Sequence, residues 1–170
     1  MDLKEKIRDI PDFPQKGILF RDITPLLRDP LALDCVVDRF HQYYRDKNIQ
    51  VVAAIEARGY ILGSPLALRL GAGFVPVRKP GKLPYKTISQ EYSLEYGVNT
   101  LEIHADAVNK GERVLILDDL IATGGSAAAT SRLVEKLGGV VAGFGFMIEL
   151  TFLKGREVLK GHDVYTIIQY

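Results

Sequence analysis

The sequence predicts an α/β protein: a mostly parallel central sheet flanked by helices. Three observations carry this. Short apolar runs alternate with amphipathic stretches of helical length. Residues 114–117, Val-Leu-Ile-Leu, are apolar at consecutive positions, which fits a strand buried on both faces. Two carboxylates and a glycine-bearing loop follow that run directly, at the strand end where such sheets bind ligands.

In chain order, Leu3, Ile7 and Ile10 stand at helical spacing and predict a short charged helix, ended by Pro11 and Pro14. A loop-rich segment follows. Asp29 and Pro30 read as the cap and first-turn proline of a helix running to about Asp46, with Leu33, Val36, Val37 and Phe40 on its apolar face. The period then changes. Residues 51–55 read as a strand, 60–70 as a helix with Leu66, Leu68 and Leu70 apolar, and 74–77 as the next strand. A polar connection spans 78–97, a strand 100–104, the central strand 114–117 and its helix 126–137, stopped by Gly138 and Gly139. A strand over 140–150, a short helix over 152–159 and a strand over 164–168 complete the pattern.

A chain of 170 residues is expected to form one domain, 1–170, without disulfide or metal staples. Its 22 basic and 21 acidic residues leave a net charge of +1, which supplies no general attraction for nucleic acid or membrane. Any anion site must therefore be local. The single cysteine, Cys35, sits among Leu33, Val36 and Val37 and reads as a small buried hydrophobe. The opening MDLKEKIRDI has no apolar core of the kind a signal peptide carries, so a cytoplasmic location is expected. His41, His104 and His162 lie far apart and form no metal-ligand spacing.

The chemistry concentrates in residues 114–126, VLILDDLIATGGS. Paired carboxylates accept hydrogen bonds from vicinal sugar hydroxyls or help hold hydrated magnesium. Thr123, Gly124, Gly125 and Ser126 open a helix whose free N–H groups face an anion. A solvated strand end explains Asp118-Asp119 equally well alone, and an ordinary helix start explains the glycines; the thirteen residues together read as a sugar-phosphate site. This is not the nucleotide-binding P-loop, because Ser126 and not lysine follows Gly125.

Residues 114–126 closely resemble the phosphoribosyl pyrophosphate motif of type I phosphoribosyltransferases. Residues 13–25, FPQKGILFRDITP, and 91–97, EYSLEYG, resemble segments of the adenine-using branch, and the likeness spans about residues 10–160. It implies the fold of that family, with residues of about 1–34 as a small N-terminal hood over a core of about 35–170. It implies purine salvage: transfer of a phosphoribosyl group from phosphoribosyl pyrophosphate to adenine, giving AMP and pyrophosphate, in a homodimer. Magnesium is expected to bind mainly through substrate and water, with no direct protein ligand. Transfer to another purine, xanthine or hypoxanthine, and a noncatalytic regulator that senses the ribosyl donor remain the alternatives.

On this resemblance Asp118 and Asp119 take the ribose hydroxyls, while Ala122, Thr123, Gly124, Gly125 and Ser126 take the 5'-phosphate. Ala57, Arg58 and Gly59 would bind pyrophosphate: Arg58 offers a planar charged fork and Gly59 lets backbone come close. A cis peptide near Ala57 and Arg58 is expected. Residues 78–97 are long for a connection and read as a lid that excludes water, carrying Lys79 and Lys82 toward the leaving group and Tyr96 toward closure. Glu95 on that lid and Arg58 are the expected catalytic residues, Glu95 by sharing a proton with the purine. Leu19, Phe20 and Arg21 are expected at the adenine: an apolar slot for the ring, with backbone groups reading its edge.

Overall fold

The computed structural model describes residues 1–94 and 97–170. Its centre is a five-stranded sheet in the order β4-β3-β7-β8-β9, formed by Gly73–Val77, Val51–Ile55, Arg113–Ile121, Val140–Glu149 and Val164–Gln169. Every neighbouring pair in it is parallel. Helices α2 (Pro30–Tyr44) and α3 (Arg58–Leu70) pack on one face, and α4 (Gly125–Lys136) on the other.

The apolar run of the central strand is explained by those two layers. Leu115 and Leu117 of β7 join the cluster with Phe40, Leu62 and Leu66, while Val114 and Ile116 join Leu133, Val134 and Phe144. All four are fully buried, each contributing about 1.5–3 kcal/mol relative to exposure. In α2 the buried positions Ala32, Val36, Val37, Phe40 and Tyr44 form one helical stripe. Asp29 caps that helix, accepting from the N–H of Leu31 at 3.0 Å and of Ala32 at 3.3 Å.

Several expectations are corrected. The N-terminal helix is not formed: only Lys4–Lys6 make a 3-10 turn, and β1 (Arg8–Ile10) pairs antiparallel with β2 (Phe20–Asp22). Ile10 stands opposite Phe20 there, so its apolar character serves a hairpin and not a helix face. A short helix α1, Thr24–Arg28, interrupts the expected loop, started by Asp22 accepting from Thr24 N–H at 2.9 Å and from its hydroxyl at 2.8 Å.

Leu68 is 84% exposed; the buried face of α3 is carried by Gly59, Leu62, Gly63, Leu66 and Ala67. Residues 78–97 are no plain loop. Most of the second half is β5, Thr87–Ser93, paired antiparallel with β6, Val98–His104, as a two-stranded ribbon. The short helix near 152–159 resolves into 3-10 turns, Thr151–Leu153 and Gly155–Leu159. No helix among the described residues is long and apolar enough to cross a membrane.

Candidate active site

The acid pair sits within β7, not at its end. Pairing with β3 stops at Ala54 opposite Leu117, but pairing with β8 continues through Asp118 opposite Phe146 to Ile121 opposite Glu149. Beyond Leu117 the β3 side of the strand is therefore open, and the first turn of α3 fills it. A side chain on Gly59 would stand 3.0 Å from the Leu117 carbonyl oxygen and 3.1 Å from an Asp118 carboxylate oxygen, so only glycine lets the helix approach so closely.

This crowding sets the electrostatics. Burial first, and the neighbouring Asp119 charge second, push the Asp118 carboxyl well above the usual aspartate range. Asp118 Oδ1 also accepts from Asp119 N–H at 2.8 Å. Asp119 is buried and pairs with Arg58, whose Nε donates to Asp119 Oδ2. Two adjacent carboxylates thus have different surroundings, one pressed under a helix start and one bound to a half-exposed guanidinium.

After Ile121 the chain turns through residues 122–124 into α4. Gly124 has φ +82° and occupies the N-cap without a side chain to satisfy the first-turn N–H groups. A cavity of about 180 Å³ opens there, lined by Ala122, Thr123, Gly124, Gly125, Ser126 and Ala127 and roofed by Tyr92 and Leu94 of the ribbon segment. Free helix-start N–H groups and the Thr123 and Ser126 hydroxyls suit a phosphate.

The turn before α3 lies beside the acid pair, joined to it by the Arg58–Asp119 ion pair. The cis peptide expected near Ala57 and Arg58 is found at Glu56-Ala57. Glu56 joins this turn to the base of the ribbon: its carboxylate accepts from Lys79 N–H at 2.6 Å and pairs with Arg78 at 3.4 Å. The Lys79 and Lys82 side chains are exposed around this junction. Among the described residues no three His, Cys, Asp or Glu side chains converge as a metal-ligand set.

Comparison with known proteins then decides the family. The model described as "Phosphoribosyl transferase domain" matches residues 24–158. The chain is 59% identical over 170 residues to the adenine phosphoribosyltransferase of Thermotoga petrophila, covering 100% of both. The chain belongs to the adenine phosphoribosyltransferase family. A crystal structure of that enzyme from Thermoanaerobacter pseudethanolicus superimposes with TM-score 0.97 at 53% identity, covering 99% of this chain and 98% of the other. The Saccharomyces cerevisiae enzyme, crystallised with adenine and an imino-altritol bisphosphate, gives TM-score 0.92 at 42% identity, covering 98% and 96%.

Within this adenine phosphoribosyltransferase architecture the hairpin approaches the acid pair through Arg58, whose guanidinium lies 5.5 Å from the Phe20 ring centroid. Leu19 is 45% exposed. Arg21 is different: its guanidinium turns to Asp9 and lies 3.7 Å over the Tyr170 ring, so its side chain braces the hairpin. Glu95 and Tyr96 lie outside the described residues. Sequence reasoning passed over Glu56, Tyr92 and Gly155. The first two lie inside segments already singled out; Gly155, whose Cβ would overlap the Ala122 carbonyl, carries no local signal.

Proposed function

We propose that this chain transfers the 5-phosphoribosyl group of phosphoribosyl pyrophosphate to adenine, giving AMP and pyrophosphate in purine salvage. The observation that carries the reading is the run of Asp118, Asp119 and the Ala122–Ser126 cradle along one strand and its loop, with Phe20 of the hairpin 5.5 Å from the Arg58 guanidinium that pairs with Asp119. The acids accept from the ribose hydroxyls, and the cradle N–H groups and hydroxyls hold the 5'-phosphate. Ala57, Arg58, Gly59, Lys79 and Lys82 hold the diphosphate. The C1'–oxygen bond breaks with its electron pair leaving on pyrophosphate, and adenine N9 bonds to C1' as the purine gives up its ring N–H proton, which passes through Glu95 to solvent. Tyr96 helps shut the lid.

Magnesium fits this donor set as a hydrated ion, because Asp118 and Asp119 present hard oxygen acceptors without forming a closed protein cage. When bound with the diphosphate it supplies charge neutralisation. Excluding water under the ribbon strengthens the fixed charges around the cationic sugar and suppresses hydrolysis. A homodimer, a cytoplasmic location and the absence of a nucleic-acid partner belong to the same reading. Sedimentation of the purified chain tests the dimer.

The deciding experiment supplies phosphoribosyl pyrophosphate and magnesium with each nucleobase in turn and separates the monophosphates by chromatography. AMP alone is the expected product. Formation of IMP or XMP instead would discard the hood assignment, and no product from any base would discard catalysis.

Two variants probe individual roles. Arg58→Ala should weaken product inhibition by pyrophosphate about tenfold while changing AMP affinity far less, since a hydrogen bond to a charged group is worth about 1.5–3 kcal/mol. Equal losses for both products would contradict the pyrophosphate role. Glu95→Ala should lower kcat about 100-fold, within the usual range for a general acid–base group, with the calorimetric melting temperature unchanged. A melting temperature that drops instead would make Glu95 a structural residue.

A further inference from the structure

The β1–β2 hairpin that carries Leu19 and Phe20 forms its own two-stranded sheet, separate from the five-stranded one. Its height above the acid pair is thus set by side-chain contacts and not by strand register. Arg58 against Phe20 is one such contact, and it involves a group the reaction itself uses. Another is Tyr170. Its ring lies under the Arg21 guanidinium at 3.7 Å, and Arg21 is only 14% exposed and also paired with Asp9.

Tyr170 is in turn fixed to the sheet by its backbone. Its N–H donates to the Glu149 carbonyl at 3.0 Å, and its carbonyl accepts from Thr151 N–H at 2.9 Å and from the Thr151 hydroxyl at 2.6 Å. Glu149 ends β8, directly opposite Ile121, the residue from which the phosphate cradle departs. The Glu149 carboxylate is itself immobilised by Arg156 at 2.6 and 3.0 Å, Thr166 at 2.9 Å and Gln169 at 3.2 Å. A continuous line of contacts runs from the root of the cradle through Glu149 and Tyr170 to Arg21 and the neighbouring Phe20.

We propose that Tyr170 is a positioning residue for the base: its ring, through Arg21, fixes the distance between the Leu19-Phe20 edge and the ribosyl site. The proposal rests on the hood reading above. The ring face attracts the guanidinium, so the phenol hydroxyl is dispensable and the aromatic ring is not. Because the brace touches the hairpin and not the cradle, its loss falls on adenine and spares the ribosyl donor.

Steady-state kinetics of the full chain test this with four variants. Tyr170→Leu should raise the KM for adenine about tenfold, leave the KM for phosphoribosyl pyrophosphate within about twofold, and narrow the preference for adenine over hypoxanthine; Tyr170→Phe should match the unaltered chain. Arg21→Gln removes the cation with every Tyr170 tether intact and should reproduce the Leu phenotype, which covers the case that Tyr170→Leu folds poorly. Phe20→Ala checks the hood itself. If Phe20→Ala spares the adenine KM, the hood reading falls and the brace with it. If Phe20→Ala raises that KM while Arg21→Gln and Tyr170→Leu do not, the brace alone is wrong. A parallel rise in both substrates' KM would make Tyr170 a general structural residue and overturn the proposal.

Discussion

Asp118→Asn is expected to raise the melting temperature at neutral pH by about 2–4 °C, the effect of roughly 1 kcal/mol in a chain of this size, while lowering kcat/KM for the ribosyl donor about 10- to 100-fold. The two effects share one cause. The Asp118 carboxyl is pressed under Gly59 and beside Asp119, so its folded-state pKa lies well above the ordinary aspartate value. Within the window between those two values the folded chain binds more protons than the unfolded one, and stability falls as pH rises. Above the window an ionised Asp118 is a standing cost. The amide keeps the oxygen that accepts from Asp119 N–H and removes the charge. Its advantage should therefore shrink as pH falls through the window and vanish below the ordinary aspartate pKa. Calorimetry across a pH series reads this directly, and a variant that melts below the unaltered chain at every pH would refute it. Asp119→Asn should act oppositely on stability, losing up to about 1 kcal/mol because a half-exposed Arg58 loses its partner.

Gly155→Ala is expected to raise the KM for phosphoribosyl pyrophosphate about 10- to 100-fold, although Gly155 offers no side chain to any ligand. A methyl group there would overlap the Ala122 carbonyl oxygen and stand 2.9 Å from Ile121 Cγ1. Ala122 begins the phosphate cradle, and Gly124 in the same cradle would meet the Gly155 carbonyl at 2.5 Å if it bore a Cβ. The new methyl group meets backbone atoms of Ala122 and not the end of a flexible side chain, so relief requires moving the cradle or the turn that carries it. Overpacking of this kind costs about 1–3 kcal/mol in stability, and a shift of roughly 1 Å at a positioning group costs about 100-fold in rate. The KM for adenine should change far less, since the clash falls on the cradle backbone and not on the hairpin. Unchanged kinetics with phosphoribosyl pyrophosphate would show that the 3-10 turn at Gly155 yields instead.

The parts of this molecule that were legible in the sequence are those where one local signal dominates. Residues 51–55 are apolar throughout because both sheet faces are covered, and the observed strand is Val51–Ile55. Asp29-Pro30 announces a helix start because cap and proline act within one turn. The acid pair and the TGG loop were legible for the same reason: their chemistry is contiguous. What stayed hidden depends on distant partners. Leu68 looks like a core residue until α3 is seen to bury Leu62, Leu66 and Ala67 and leave it in solvent. The spacing of Leu3, Ile7 and Ile10 fits a helix, but pairing of Arg8–Ile10 with Phe20–Asp22 overrides it. The polar residues of β5 gave no strand signal because its outer face is solvated, only Ile88 and Tyr92 of its inner face are apolar, and the strand owes its form to β6. Gly155 and Tyr170 matter only through chain segments far away in sequence.

The separateness of the β1–β2 hairpin bears on how such a molecule changes over time. The residues proposed to discriminate one base from another and those proposed to handle the sugar and its phosphates lie on units with no strand in common. Drift in the short hairpin between Arg8 and Asp22 leaves every strand register of the central sheet untouched. A lineage is therefore free to exchange the base it accepts while inheriting the bond-making apparatus intact, as a tool keeps its handle when the bit is replaced.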